Sequence, residues 1–303
     1  MRPMRIESLI IGMDFSDPAI EGARWVVEHF AVNAAVTLVH VVGPPSRPGF
    51  IARVLPAAEP IDSLASEAAD ARLRDVIANV APSATCEVRV GKPHEQIAAA
   101  ARERRADLVV VGPHGDGAAR RPWLGSTAER VVHCSPAPVL VTSDPPPGGV
   151  RRILVPIDEN RLTDSILGWA AHLAQAFDAE VKLLHVWSEA IFEHVASMAR
   201  VTTADRDEAR REIVKDVDEA AAHWLADLAA AGFRGGRATA VVSHGKAGDV
   251  TLETAAAYRA DLIVIGRNAG GPIAPALLGS TLRTVLHHAR CPVFVVTEPQ
   301  EQK

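Results

Sequence analysis

Residues 106–127 read ADLVVVGPHGDGAARRPWLGST. Leu108 to Val111 is an apolar run of the kind that suits a fully buried strand, it breaks at Gly112, and helical character returns only at Ser126. A strand therefore ends in a glycine loop that feeds a helix. Gly112, Gly115 and Gly125 let the backbone turn tightly and approach a ligand where a Cβ would block it. Ser126 and Thr127 stand where a helix start offers unpaired N–H groups, a setting suited to phosphate.

The same punctuation returns in residues 260–281, ADLIVIGRNAGGPIAPALLGST. The first spacing is G-x2-G-x9-G-S and the second is G-x2-A-x9-G-S, with Ala269 in the middle position and Gly270 one residue late. The first loop is complete and the second is altered.

Upstream of the first loop, Leu9 to Met13 reads as a buried strand ending at Asp14, and FSDP supplies Ser16 or Asp17 as a helix cap, with Pro18 expected at the first helical position of a helix running to about Phe30. Val36 to Val42 is a second apolar strand with His40 inside it, followed by the irregular GPPSRPGF. Ile61 to Val80 has apolar residues at helical spacing, Cys86 to Val90 is a short strand, and His94 to Arg105 is helical. After the loop come a short helix, Ser126 to His133, and a fifth strand, Pro138 to Thr142. This alternation calls for an open parallel five-stranded sheet with helices on both faces.

Ser143 opens SDPPPGGVR, a run whose Pro and Gly content marks a linker, and then the pattern starts again. Asp158 follows Asp14 by 144 positions, His185 follows His40 by 145, and Gly245 and Gly279 follow Gly91 and Gly125 by 154. Nine residues have thus been added between the second and third strands of the second copy, near a helix expected over about Arg206 to Ala231. The chain reads as two α/β domains, 1–147 and 148–303, which agrees with a length of 303 residues and a 48% hydrophobic composition. Two copies are too few for a solenoid.

The net charge is −5, from 32 Lys and Arg against 37 Asp and Glu, with no long run of one sign, so nucleic acid is not expected as a partner. No apolar run approaches the roughly 20 residues of a membrane helix. The opening MRPMRIESLIIGMD lacks a signal-peptide core, and Cys86, Cys134 and Cys291 form neither a C-x-x-C pair nor an even set. A cytoplasmic protein with reduced thiols is the expectation.

The strand ending in Asp14-Phe15-Ser16, the His40-Val41 strand, the G-x2-G-x9-G-S loop and the closing SPAPVLVT together resemble the universal stress protein family, over nearly the whole chain and twice. The resemblance implies a tandem member with a Rossmann-like, adenine-nucleotide alpha-hydrolase-like fold, in which ATP lies across the carboxyl ends of the strands. An open α/β sheet independently gathers ligands there, at its topological switch point. Carried over by position, Asp14 and Val41 meet the adenosine end, Val111 and Gly112 flank it through backbone, and Gly115, Gly125, Ser126 and Thr127 hold the phosphates, with His114 a further candidate donor. The second copy offers Asp158, Val186, Ile265, Gly266, Gly279, Ser280 and Thr281.

Plainer readings stand beside these. Asp14 could serve only the turn before the first helix, and Arg120 and Arg121 could only solubilise the loop. His40 and His185 read as satisfied core histidines. No carboxylate or cysteine stands at ligand spacing from His133, His287 and His288, so any Mg2+ is expected to arrive with the nucleotide. Lys92 and Lys246 follow glycines but lack the P-loop spacing. No elbow, paired-carboxylate motif or phosphoryl-transfer apparatus is legible, so at most slow ATP hydrolysis is expected. The leading function is ATP binding, chiefly in domain 1, by a stress-response protein whose occupancy is read by an unidentified protein partner. The alternatives are an interaction protein of the same fold without nucleotide and, last, an adenylyl-transferring enzyme. In similar proteins the terminal strands pair two domains, so the resemblance implies a pseudo-dimer within the chain and leaves a homodimer of chains open. Here those strands, Pro138 to Thr142 and Pro292 to Thr297, are expected at sheet edges.

Overall fold

The structure is a computed structural model, and it describes residues 6–31, 33–43, 59–115, 124–158, 160–187, 219–234, 236–267 and 278–297. The chain divides into two compact units, with Arg5–Pro147 as the body of the first and Gly148–Val296 as the body of the second.

In the first unit the elements are β1 (Ser8–Gly12), α1 (Asp17–His29), β2 (Ala35–Val42), α2 (Glu59–Val80), β3 (Thr85–Val90), α3 (Pro93–Glu103), β4 (Leu108–Val111), α4 (Ser126–Cys134) and β5 (Val139–Val141). The strand order is β3-β2-β1-β4-β5, with every neighbouring pair parallel. All residues of β4 and β5 are buried, as strands covered on both faces must be. Helices α1 and α2 pack beside one another, as do α3 and α4. The chain moves from β1 outward to β3 and then reverses to β4, so right-handed crossovers put the two helix pairs on opposite faces.

The second unit repeats this plan with β6 (Arg152–Ile157), α5 (Thr163–Phe177), β7 (Glu180–Trp187), a helix whose described part is residues 219–230 (α6), β8 (Ala238–His244), α7 (Ala247–Tyr258), β9 (Leu262–Gly266), α8 (Ser280–His288) and β10 (Val293–Val296). Its order is β8-β7-β6-β9-β10, again parallel throughout. Each terminal strand, β5 and β10, ends the strand order of its own unit.

One device recurs at the amino ends of the sheets. Asp107 Oδ2 accepts N–H bonds from Glu7 (2.9 Å) and Ser8 (3.0 Å), tying the start of β4 to the start of β1. Asp261 Oδ2 does the same for Arg151 (3.0 Å) and Arg152 (2.9 Å). Gly91 and Gly245 also match, each at a φ near +140° where the chain turns from strand into helix.

Element ends differ from the sequence expectations by a residue or two. Ser16 is the cap of α1, so Pro18 occupies the second helical position rather than the first. Helix α3 begins at Pro93 and stops at Glu103, because Arg104 and Arg105 turn out of the helix, the latter at φ 49°. The expected helix over 206–231 is described only from residue 219, and the inserted residues, Arg120, Arg121, Ala269 and Gly270 lie outside the described residues.

Candidate functional site

The first site grows from the turn after β1. Asp14 Oδ1 accepts bonds from the Ser16 amide (3.0 Å) and the Ser16 hydroxyl (2.6 Å), and Ser16 Oγ in turn accepts from the Ala19 amide (3.4 Å). The carboxylate thus fixes the cap that starts α1. Between them Phe15 has φ 67°, an uncommon conformation for a bulky residue. It is held from two sides. The Arg72 guanidinium lies 4.5 Å from the Phe15 ring centroid, and the His40 ring lies 4.5 Å from it centroid to centroid. His40 Nδ1 also bonds the Met13 carbonyl at 2.7 Å, and because a carbonyl only accepts, Nδ1 carries the proton.

The other wall comes from the loop after β4. A Cβ on Gly112 would sit 3.3 Å from the Ala19 Cα, and one on Gly115 would sit 2.6 Å from Asp14 Oδ2. The loop then meets the start of α4, where the Gly125 amide donates to the Pro113 carbonyl at 2.7 Å and a Gly125 Cβ would come within 3.2 Å of the His114 Cα. No side chain caps α4, whose first amides therefore stand at the edge of the cavity.

These parts enclose a cavity of about 400 Å3. Asp14, Val41, Val111, Gly112, His114, Gly115, Gly125, Ser126 and Thr127 all line it. It sits at the carboxyl ends of β1, β2 and β4, where the order reverses. Sequence reasoning missed Gly12, Met13, Val39, Pro93, Ile97 and Ala128 as lining residues and read His40 as core. Apart from Gly12 and Pro93 these look like ordinary core positions. The parallel register sets Gly12 opposite both Val39 and Val111, and Ile97 of α3 packs over Gly12, so tertiary placement and not residue type brings these positions to the cavity.

The second unit brings Asp158, Val186, Ile265, Gly266, Gly279, Ser280 and Thr281 around a cavity of about 200 Å3. Its details differ. The turn from Asp158 to α5 is longer, the Asp158 carbonyl accepts from Asn160 Nδ2 (3.0 Å) and Thr163 Oγ1 (2.8 Å), and the cap position holds Leu162 with no side-chain cap bond. His185 Nδ1 keeps the bond to the strand-end carbonyl, that of Ile157, at 3.0 Å. A Cβ on Gly266 would meet the Ile166 Cδ1 at 2.7 Å, a side chain where the first unit has the backbone of Ala19. Sequence reasoning missed Pro156, Ile157, Leu162, Ile166, Leu184, Ala247, Thr251 and Leu282, which are mostly apolar, and also Asn160. Among the described residues no three His, Cys, Asp or Glu side chains gather where they could hold a metal ion, and no helix is long and apolar enough to cross a membrane.

A cavity at the same strand ends of each unit defines a tandem α/β protein with one candidate site per unit. Comparison with known sequences places it further: the universal stress protein family profile matches residues 6–143 and again 149–297, and the chain belongs to that family. A universal stress protein of Mycolicibacterium smegmatis is 26% identical over 312 residues, covering 95% of this chain and 96% of its own length. The universal stress protein YxiE of Bacillus subtilis is 28% identical over 151 residues, covering 48% of this chain and 98% of its own. Among solved structures, a universal stress protein from Archaeoglobus fulgidus superposes with a TM-score of 0.67 at 18% identity, covering 99% of both chains, which is a likeness of fold.

Proposed function

We propose that the chain binds ATP in its first unit and acts in stress response as a nucleotide-dependent partner-binding protein. The observation that carries this reading is the enclosure of one cavity of about 400 Å3 by a strand-end carboxylate, a glycine loop and an uncapped helix start. Its size falls within the range of small-molecule and cofactor sites.

The residues fit the group. The absent Cβ atoms of Gly115 and Gly125 leave a cradle that a side chain would fill, and the first amides of α4 offer donors together with the positive end of the helix dipole. In this reading Asp14 and Val41 meet the adenosine end, Val111 and Gly112 contact it through backbone, and Gly115, Gly125, Ser126 and Thr127 hold the phosphates, with His114 as an additional donor. Magnesium arrives with the phosphates, because a nucleotide-borne ion needs few protein ligands. Turnover beyond slow hydrolysis is not part of the proposal, nor is a nucleic-acid or membrane partner. The protein works in the cytoplasm, where ATP is available, and nucleotide occupancy biases a surface that a partner protein reads.

Calorimetric titration of the nucleotide-stripped chain with ATP and Mg2+ tests this. One site is expected in the wild type. Gly115→Val should weaken it by at least about tenfold, or 1.4 kcal/mol, since its Cβ collides with the Asp14 carboxylate. A wild type that binds no nucleotide would overturn the proposal in favour of a pure interaction protein.

A further inference from the structure

The two cavities occupy equivalent places, yet the second is the smaller. The altered glycine loop is one candidate cause; the walls are another. Val39 faces Gly12 across the β1–β2 ladder, and Leu184 faces Pro156 across the β6–β7 ladder, so these pairs are strictly equivalent. Ala128 and Leu282 are both the third residue of a nine-residue helix that follows a capping glycine. Going from first unit to second, Gly12 becomes Pro156, Val39 becomes Leu184 and Ala128 becomes Leu282, and each change adds carbon to the wall. Ile97, replaced by Thr251, and Pro93, replaced by Ala247, lose some, both on the one helix that follows the third strand of each unit. Leu184 and Leu282 are 1% and 3% exposed, so their added atoms point into the protein rather than out to solvent.

The strands also separate differently at this point. The β1–β4 ladder runs on to Gly12 opposite Val111, whereas the β6–β9 ladder stops at Leu154 opposite Ile263. Pro156 has no N–H to extend it. Near the end of β9, Ile166 of α5 and its cap residue Leu162 approach Gly266 and line the second cavity, whereas no residue of α1 or its cap lines the first.

We infer that Leu184 and Leu282 are the residues that close the second unit to nucleotide, independently of the alteration at Ala269. This rests on nucleotide binding in the first unit. The two leucines fill space that adenosine and its phosphates need, and a close-packed wall of buried leucines cannot retreat without strain elsewhere. The second unit is therefore kept as a folded but nucleotide-free half.

Exchange of the walls tests the inference by gain as well as loss. Titration with ATP and Mg2+ should give one site per wild-type chain, two per Leu184→Val/Leu282→Ala chain, and still one per Ala269→Gly chain. The reverse exchange, Val39→Leu/Ala128→Leu, leaves the first glycine loop untouched and should abolish the wild-type site. Circular dichroism and thermal unfolding establish that each variant is folded. Should it leave the opened variant unfolded, the reverse exchange decides the matter. A wild type with two sites, a second site gained by Ala269→Gly alone, or a folded opened variant that still binds only one nucleotide would each overturn the inference. The last of these leaves ATP binding in the first unit standing. A wild type with none and an opened variant with one would sink that binding while supporting the wall argument, and none in either would sink both.

Discussion

His94 is the second residue of α3, close to the cavity wall formed by Pro93 and Ile97. Burial, and then the positive charge of Arg130, hold its pKa below the ordinary 6.5. The folded protein therefore resists a proton that the unfolded chain accepts, so a penalty absent at neutral pH grows as pH falls through about 6.5 and is complete below the folded value. His94→Gln should lose less stability than wild type between pH 7.5 and 5.5 in urea unfolding. Equal losses would mean that the ring is not resisting protonation. The salt-bridged Glu95 and Glu103, whose pKa values lie below the ordinary carboxylate value because of Lys92 and Arg89, act in the same direction but at lower pH, outside that window. Asp14 illustrates how a residue can satisfy two readings at once. One carboxylate oxygen holds the turn through Ser16, and the other lies against Gly115 at the cavity wall.

At the scale of elements, the central strands were legible because burial on both faces writes them as unbroken apolar runs, from Leu108 to Val111 and from Leu262 to Ile265. Helix ends were less so: whether Ser16 or Asp17 caps α1 depends on which oxygen reaches the Ala19 amide, a matter of geometry and not of residue type. The glycines and the strand-end aspartates marked both cavities in the sequence. The cavity walls did not, since Val39, Leu184 and Leu282 read as core in any strand or helix, and it takes the strand register for the first two and the helix start after Gly279 for the third to bring them to a cavity. The fit of α1 against the sheet is equally invisible in sequence. A Cβ on Gly22 would lie 2.1 Å from Thr142 Oγ1 just beyond β5, so Gly22→Ala should cost about 1–3 kcal/mol through overpacking. Chemical denaturation would measure this, and an unchanged midpoint would show that the helix can shift away freely.

At the scale of the whole molecule, two units with separate cores need not melt together. If ATP binds only the first, then at a hundredfold excess over Kd it should stabilise that unit by about 2.7 kcal/mol and leave the other untouched. Scanning calorimetry with and without ATP would resolve one transition moving past a fixed one, and Gly22→Ala would identify the first unit's transition by lowering it. Equal movement of both would place nucleotide in each half. The paired clamps of Asp107 and Asp261 give such experiments an uncommon advantage. Each carboxylate grips two adjacent amides at 2.9–3.0 Å in the same position of the same fold, within one polypeptide and one solution. Asp107→Asn and Asp261→Asn are thus the same perturbation delivered to two settings, each losing charge-assisted bonds of about 1.5–3 kcal/mol apiece at most. Any difference between the two losses reports on the surroundings alone, so the duplicated chain carries a matched internal reference for every measurement made on either half.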